Sequence, residues 1–237
     1  MFDNYTLKAR YYPVIILFLP IIVLGFFYSL QFESVFHLLG SLGVVSALTY
    51  LFSQLGRDQG KRKESSLWKN WGGAPTIQLI RLHNSHFDTH TKQRYHKKLQ
   101  QLCPVSVPPD ADLETNHPNQ ADDVYRAWNK YLISQTRDNK KFSLLYKENV
   151  NYGFRRNLWG LRPFALTLAI LLLIGNYLFW LVKLNKFNPG LFPNSFIYSS
   201  ISVLLIILFW LVLVTKSWVK LVAFSYAERL WECSDNL

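Results

Sequence analysis

The sequence predicts an all-α membrane protein in which two transmembrane helical hairpins flank an α-helical cytoplasmic domain. The first observation behind this prediction is the clustering of apolar residues into four blocks without a formal charge, at 13–30, 35–52, 163–182 and 196–214. The second is that each block is long enough, or nearly so, to cross a hydrocarbon core of ~30 Å at ~1.5 Å per residue. The third is that no block carries the polar stripe of a helix on the surface of a soluble core.

The N-terminal hairpin is predicted at residues 1–55. Its first block follows Lys8 and Arg10, as the apolar part of a signal peptide would. No small-residue cleavage site follows, and the second block comes at once, so we expect the first block to be retained as a span. Gly40 and Gly43 place small residues on the second span, where they suit close packing of helices.

The orientation follows from the basic segments beside the blocks. "GRDQGKRK" follows the second block and "YGFRRNLWGLR" precedes the third, whereas the loop "QFES" between the first two blocks has no Lys or Arg. Since positive charge is enriched on the cytoplasmic side, the central domain and both termini are predicted to be cytoplasmic.

The cytoplasmic domain, residues 56–162, shows helix signals and no strand-like alternation. Pro75, after two glycines, is suited to open a short helix, and Asp88 is suited to cap a helix that runs to about residue 102. Residues 103–120 are predicted to be a proline-rich acidic loop. Helices are then expected after Asn119 and over residues 139–150.

The C-terminal hairpin and its helical tail are predicted at residues 163–237, with the tail continuing the last span. Asn176 is the one amide well inside a block. A polar group at that depth is expected to face a partner helix or a water-filled path.

The central domain also has basic residues far in sequence from the predicted spans. The membrane topology explains only the basic residues next to the spans. The chain has a formal net charge of +11, and cations interleaved with aromatic residues could neutralise phosphates and stack on bases. The candidate polyanion-binding residues are Trp68, Trp71, Arg81, Arg94, Tyr95, Lys97, Lys98, Arg126, Lys130, Lys140 and Lys141. The alternative is a solvated basic face over an aromatic core, with Trp128 and Tyr131 at core spacing.

Catalytic and metal-binding patterns are weaker. His83, His86, His90 and His96 are close in sequence, but turn-favouring residues between them argue against one shared helical face. The sequence has no nucleophile elbow and no glycine-rich phosphate loop. The acids at 122–123 are interpreted as favourable charges at a helix start. We therefore predict no enzyme activity, no cofactor and no metal site.

Three segments, "LWKNWGGAPTIQLIR", "TKQRYHKKL" and "NVNYGFRRNLWGLRPFAL", resemble small four-span bacterial membrane effectors of anti-phage defence, a group that includes the effectors of Hailong systems. The resemblance implies a homo-oligomeric ion channel in the bacterial inner membrane. It also implies a partner nucleotidyltransferase whose product, a nucleotide or short single-stranded DNA, binds the cytoplasmic domain and keeps the pore closed. The residues alone leave open a membrane-anchored scaffold whose basic face binds anionic lipid or a soluble partner.

Overall fold

The structure, a computed structural model, describes residues 4–28 and 42–237. In this part of the chain every element of secondary structure is helical, which confirms the all-α class. The α-helices, numbered in chain order, are α1 Tyr12–Tyr28, α2 Leu42–Trp71, α3 Pro75–Ile80, α4 Thr89–Leu102, α5 Ala111–Asn116, α6 Pro118–Gln135, α7 Ser143–Leu184, α8 Asn194–Val212 and α9 Lys216–Glu232. A π-helical turn, Thr6–Tyr11, leads into α1.

The chain folds into two compact units. Unit 1 comprises Met1–Lys63 and Gly153–Val219, and unit 2 comprises Glu64–Tyr152 and Lys220–Leu237. The C-terminal tail, expected beside the second hairpin, thus belongs from Lys220 onward to the same unit as the central domain.

Three helices among the described residues are long and apolar enough to cross a membrane. They are Thr6–Tyr28, Ser143–Leu184 and Asn194–Val212, on which the predicted blocks 13–30, 163–182 and 196–214 mainly lie. The predicted block 35–52 lies partly outside the described residues, and its described part forms the start of α2. Gly40 also lies outside them, and Gly43 falls in the first turn of α2.

The predicted helix at 139–150 and the third span are one continuous helix, α7, which corrects the expected separation between them. α7 begins at Ser143, and in the turn before it Asp138 Oδ1 accepts the backbone N–H groups of Lys140 and Lys141. No residue of α7 between the two predicted segments breaks the helix. Gly153 remains helical there, at a position where a Cβ would lie 2.7 Å from the Tyr5 hydroxyl oxygen.

Glycines bring α2 and α7 into close contact within unit 1. A Cβ at Gly160 would lie 2.5 Å from the backbone nitrogen of Gly60 and 2.9 Å from the carbonyl oxygen of Gly56. Gly56 and Gly60 are four residues apart on one face of α2, an arrangement that lets helix backbones approach closely. This crossing was not predicted, because the segment was interpreted only as a basic flank.

Arginines in α7 bind the carbonyls at the end of α8 and in α9. Arg162 donates from Nε to Trp210 O at 3.0 Å and from Nη2 to Leu211 O at 3.3 Å. Arg155 donates to Trp218 O at 2.9 Å and lies over the Trp218 ring at 4.5 Å. The last carbonyls of a helix have no partner within it and carry partial negative charge, so Arg162 stabilises the end of α8.

Asn176 joins three helices of unit 1 through a buried hydrogen-bond network. Its Oδ1 accepts from the Tyr28 hydroxyl at 2.8 Å, and its Nδ2 donates to Ser199 Oγ at 3.1 Å and Ser200 Oγ at 3.0 Å. The Trp180 indole N–H donates to the Tyr28 oxygen at 2.9 Å. Asn176 therefore packs against partner helices of its own chain.

We expect Asn176→Ala to destabilise the protein by about 2 kcal/mol, because it removes three hydrogen bonds between helices, two buried and one partly buried, at roughly 0.6 kcal/mol or more each. The measurement is thermal or denaturant unfolding of the detergent-solubilised protein. Ser202→Ala is the control, since the Ser202 hydroxyl donates only to Tyr198 O of its own helix. Equal effects of the two substitutions would show that the network contributes nothing.

Unit 2 is built around an aromatic core in which α6 supplies Tyr125, Trp128 and Leu132, all fully buried. The Trp128 indole donates to Cys103 O at 3.1 Å, and Trp231 of α9 donates to Thr76 O at 2.7 Å. Both large indoles of this core thus have hydrogen-bond partners, as buried polar groups normally do.

Local capping explains where the helices of unit 2 begin. The predicted cap of α4 is confirmed, since Asp88 Oδ1 accepts the Thr91 N–H at 2.9 Å. The expected loop at 103–120 is wrong in part, because Asp110 Oδ1 accepts the Leu113 N–H at 2.7 Å and starts α5. The start of α9, which lies in unit 1, is capped in the same way, because Thr215 Oγ1 accepts the Trp218 N–H at 3.2 Å; the tail is thus a separate helix and not a continuation of α8.

Candidate ligand-binding cleft

One face of α6 supplies the polar wall of a cleft in unit 2. Asp122, Arg126 and Asn129 are spaced at i, i+4 and i+7, so they lie along the same side of the helix. The neighbouring side of α6 carries the buried aromatic residues of the core. The cleft therefore borders the core along α6.

The end of α2 and the turn after it form the facing wall. Gly72 and Gly73 have φ angles of +89° and +132°, a region that L side chains rarely adopt, and they end α2. Gln78 of α3 donates to Gly73 O at 2.5 Å and fixes the turn. Trp68, in the last turn of α2, lines the cleft beside these glycines.

The cleft has a volume of about 320 Å³ and carries three charged side chains, Arg81, Asp122 and Arg126. Arg81 donates to Asp122 Oδ1 from Nη2 at 2.6 Å and from Nε at 3.1 Å, which orients the guanidinium. Arg126 bonds Asp123 at 2.6 Å, with both side chains more than half exposed. Two cations and one anion leave the lining with a formal charge of +1.

Asp122 therefore has a different role from the one interpreted from the sequence. α6 begins at Pro118, so Asp122 lies beyond the first turn and is an ion-pair partner of Arg81. Asn129, Gly72 and Gly73 were not predicted as site residues. The spacing of polar residues at 122, 126 and 129 on an otherwise amphipathic helix is the sequence signal that could have identified this wall.

Two buried charged residues hold the segment that carries Arg81. Glu114 Oε1 accepts the Leu82 N–H at 2.8 Å and the Tyr125 hydroxyl at 2.6 Å, and Glu114 Oε2 accepts His83 Nδ1–H at 2.9 Å. Lys92, 5% exposed, donates to Leu82 O at 2.6 Å and also to the carbonyls of Arg81 and Asn84. The backbone on which Arg81 sits is thus anchored from both sides.

Hydrogen bonding sets the protonation state of Glu114. Burial by itself raises the pKa of a carboxyl group, but the bonds from Tyr125, Leu82 and His83 favour the carboxylate. The hydrogen bonds outweigh the effect of burial, so the pKa of Glu114 lies below its usual value.

The four histidines His83, His86, His90 and His96 do not form one site. His83 bonds Glu114, His86 lies 3.6 Å from Glu228, and His90 is exposed. His96 donates to Ile80 O at 3.0 Å and packs on Trp128, and its burial lowers its pKa. Across residues 4–28 and 42–237, no three or more His, Cys, Asp or Glu side chains are grouped so that they could hold a metal ion.

The structure brings together Trp68, Arg81 and Arg126 from the predicted polyanion set, since all three line the cleft. Two other members, Trp71 and Tyr95, are 9% and 3% exposed, so their rings have almost no free surface for stacking on a base. Arg94 lies over the Tyr95 ring and pairs with Asp235 at 3.0 Å. These residues are part of the fold of unit 2.

The predicted lysines lie at separate places. Lys97 is exposed and Lys98 half-buried on α4, Lys130 is exposed on α6, and Lys140 and Lys141 are exposed in the turn before α7. Among the described residues none of these lysines forms an ion pair. Lys141 lines a second, smaller cavity of about 180 Å³ together with Arg229.

The observed features define an all-helical protein with helices able to cross a membrane and a polar cleft in a separate unit. Comparison of the chain with protein families, with curated proteins and with solved structures finds no match.

Proposed function

We propose that the chain is a homo-oligomeric membrane effector, an ion channel whose cytoplasmic unit binds a nucleotide or short single-stranded DNA made by a partner nucleotidyltransferase. The observation that carries the proposal is the combination, in one chain, of apolar membrane-length helices with a cleft lined by guanidinium, indole and amide groups. A membrane-spanning part and a ligand-binding part are the components that ligand gating requires. In line with the resemblance described above, bound ligand keeps the pore closed, and loss of the ligand during phage infection depolarises the cell.

The proposed topology has four spans in the bacterial inner membrane, with unit 2 and both termini in the cytoplasm. Its support is the basic sequence on either side of the central domain and the scarcity of Lys and Arg in the loop at 31–34. The first, third and fourth spans correspond to the three apolar helices. The second span corresponds to the block at 35–52.

Ion flux from proteoliposomes tests the channel. The purified full chain is reconstituted into vesicles loaded with KCl, and the membrane potential is followed with a dye while short single-stranded DNA is added. We expect flux from the ligand-free protein and its reduction by the oligonucleotide. Vesicles that stay tight with and without oligonucleotide, while containing correctly oligomeric protein, would contradict the proposal.

A scaffold that binds anionic lipid is the second candidate, and the unpaired lysines on α4, on α6 and before α7 favour it. Exposed lysines attract an anionic surface at about 1 kcal/mol each near the membrane. Such a protein would give no flux, and the detergent-solubilised full chain would bind phosphatidylserine but not phosphatidylcholine. In a scaffold the charge reversal Lys97→Glu with Lys130→Glu would weaken this lipid binding, whereas in a channel controlled through the cleft it would leave flux unchanged.

A further inference from the structure

The cleft between the end of α2 and α6 contains two buried polar atoms without a hydrogen-bond partner. They are the Trp68 indole N–H and Asn129 Oδ1. In the same unit the indoles of Trp128 and Trp231 both donate to backbone carbonyls. Buried atoms without a partner also occur in unit 1, at Trp210 Nε1 and Asn157 Oδ1, but only in this cleft do an unsatisfied donor and an unsatisfied acceptor among the described residues line one cavity beside cationic side chains, and this combination points to a ligand.

Trp68 Nε1 and Asn129 Oδ1 define which hydrogen-bonding groups a ligand of the cleft must have. Trp68 can only donate, so it requires an acceptor, and Asn129 Oδ1 accepts, so it requires a donor. Planar heterocycles with an acceptor next to an N–H group, as on the edge of a nucleobase, provide both. The indole ring of Trp68 also offers an aromatic wall against which such a heterocycle can pack.

The charges of the cleft suit one phosphate group. Asp122 Oδ1 accepts from both Nε and Nη2 of Arg81, so it orients this guanidinium and neutralises part of its charge. Arg126 is bound to Asp123 in a surface pair in which both side chains are more than half exposed. A pair of this kind contributes little to stability, so Arg126 can exchange Asp123 for a phosphate oxygen at low cost.

The size of the cleft limits the ligand to one nucleotide. A volume of about 320 Å³ lies at the lower end of the range of small-molecule sites, about 300–1,000 Å³. An extended strand would need a longer groove that tracks its backbone.

We infer that this cleft binds a single phosphorylated nucleoside, with the base edge at Trp68 and Asn129 and the phosphate at Arg126 and Arg81. The ligand is either a free mononucleotide or the terminal nucleotide of an oligonucleotide. This inference rests on the proposed function for its choice of ligand class and deepens it by assigning the site.

Binding to the detergent-solubilised full chain tests the assignment, with the four nucleoside 5′-monophosphates, a 5′-phosphorylated tetradeoxynucleotide and inorganic phosphate as probes. Trp68→Phe keeps an aromatic ring but removes the N–H donor together with the pyrrole part of the indole, and we expect binding to weaken by about fivefold or more. Arg126→Gln should weaken binding about tenfold through the loss of a charge-assisted bond. Lys147→Gln, which removes an exposed cation of α7 outside the cleft, should stay within about twofold, as surface charges far from a site do.

The arms of the experiment separate the two sources of the ligand. Tighter binding of the tetranucleotide identifies a strand end, and equal binding of a monophosphate identifies a free nucleotide. Equal affinities for inorganic phosphate and for the nucleotides, or wild-type affinity in both Trp68→Phe and Arg126→Gln, would overturn the assignment. If oligonucleotide still controls flux in those variants, the channel proposal stands and the cleft is not its sensor. If the cleft binds nucleotide but no probe alters flux, the binding site stands and the gating proposal fails.

Discussion

Gly160→Ala is expected to destabilise unit 1 by about 2–3 kcal/mol, at the upper end of the cost of overpacking. The added methyl group would lie 2.5 Å from the Gly60 backbone nitrogen and 2.9 Å from Gly56 O. These neighbours are backbone atoms of α2, so no side-chain rotation can relieve the clash and the helix itself must move. Thermal unfolding in detergent, followed by helical circular dichroism, measures the effect.

Gly175→Ala is the matched control for this substitution. It lies in the same helix, α7, and nothing lies within 4 Å of the position that its Cβ would take. Alanine favours a helix over glycine by about 0.8–1.0 kcal/mol, so Gly175→Ala should be neutral or slightly stabilising. Equal destabilisation by both substitutions would show that α2 and α7 do not cross at Gly160.

Glu114→Ala is expected to destabilise unit 2 by about 3 kcal/mol, because it leaves the Leu82 N–H and the Tyr125 hydroxyl without an acceptor at roughly 1–3 kcal/mol per buried group. The Glu114 side chain is 5% exposed, so water cannot readily replace the carboxylate. Near-ultraviolet circular dichroism follows the aromatic core that contains Tyr125 and Trp128. Asp112→Asn, on the same helix α5 but exposed, should cost less than about 1 kcal/mol, the usual size of a charge effect at a helix start.

The contribution of Glu114 should also depend on pH. Because its folded pKa lies below the ordinary value, the carboxylate stabilises the fold fully above the unfolded pKa, about 4.3. This stabilisation is lost as the pH falls through the folded pKa. The difference in stability between wild type and Glu114→Gln should therefore be largest near neutral pH and shrink below about pH 4. A difference that persists unchanged in acid would show that the charge of Glu114 is not what stabilises the segment.

Local sequence signals predicted most of the helices. They did not predict which segments would continue as one helix. Asp88 and Pro75 start helices as predicted, because a cap or a proline acts within one turn of the chain. The unbroken course of α7 past Gly153 and Gly160 depends on the helices and turns packed against those glycines. Such contacts are distant in sequence, so residue preferences do not reveal them.

The candidate site was predictable in its charge and not in its geometry. Arg81, Arg126 and Trp68 were expected because cations and aromatic residues are visible in the sequence. Tyr95 was chosen on the same grounds but lies in the core, since composition does not tell which side of a helix meets the core. The roles of Asp122 and Asn129 required the fold, because each acts through a neighbour or a cavity formed by another segment.

The core of unit 2 is completed by residues near the far end of the chain. Ala227, Leu230 and Trp231 of α9 are all fully buried in it, and Trp231 bonds Thr76. Because a ribosome makes the chain from its N-terminus, α3 to α6 emerge long before these residues, and both α7 and α8 are synthesised in between. Part of the aromatic core of α3 to α6 therefore stays exposed to solvent until α9 has been synthesised. This interval is when the chain is most open to chaperones, proteases and association with its own copies.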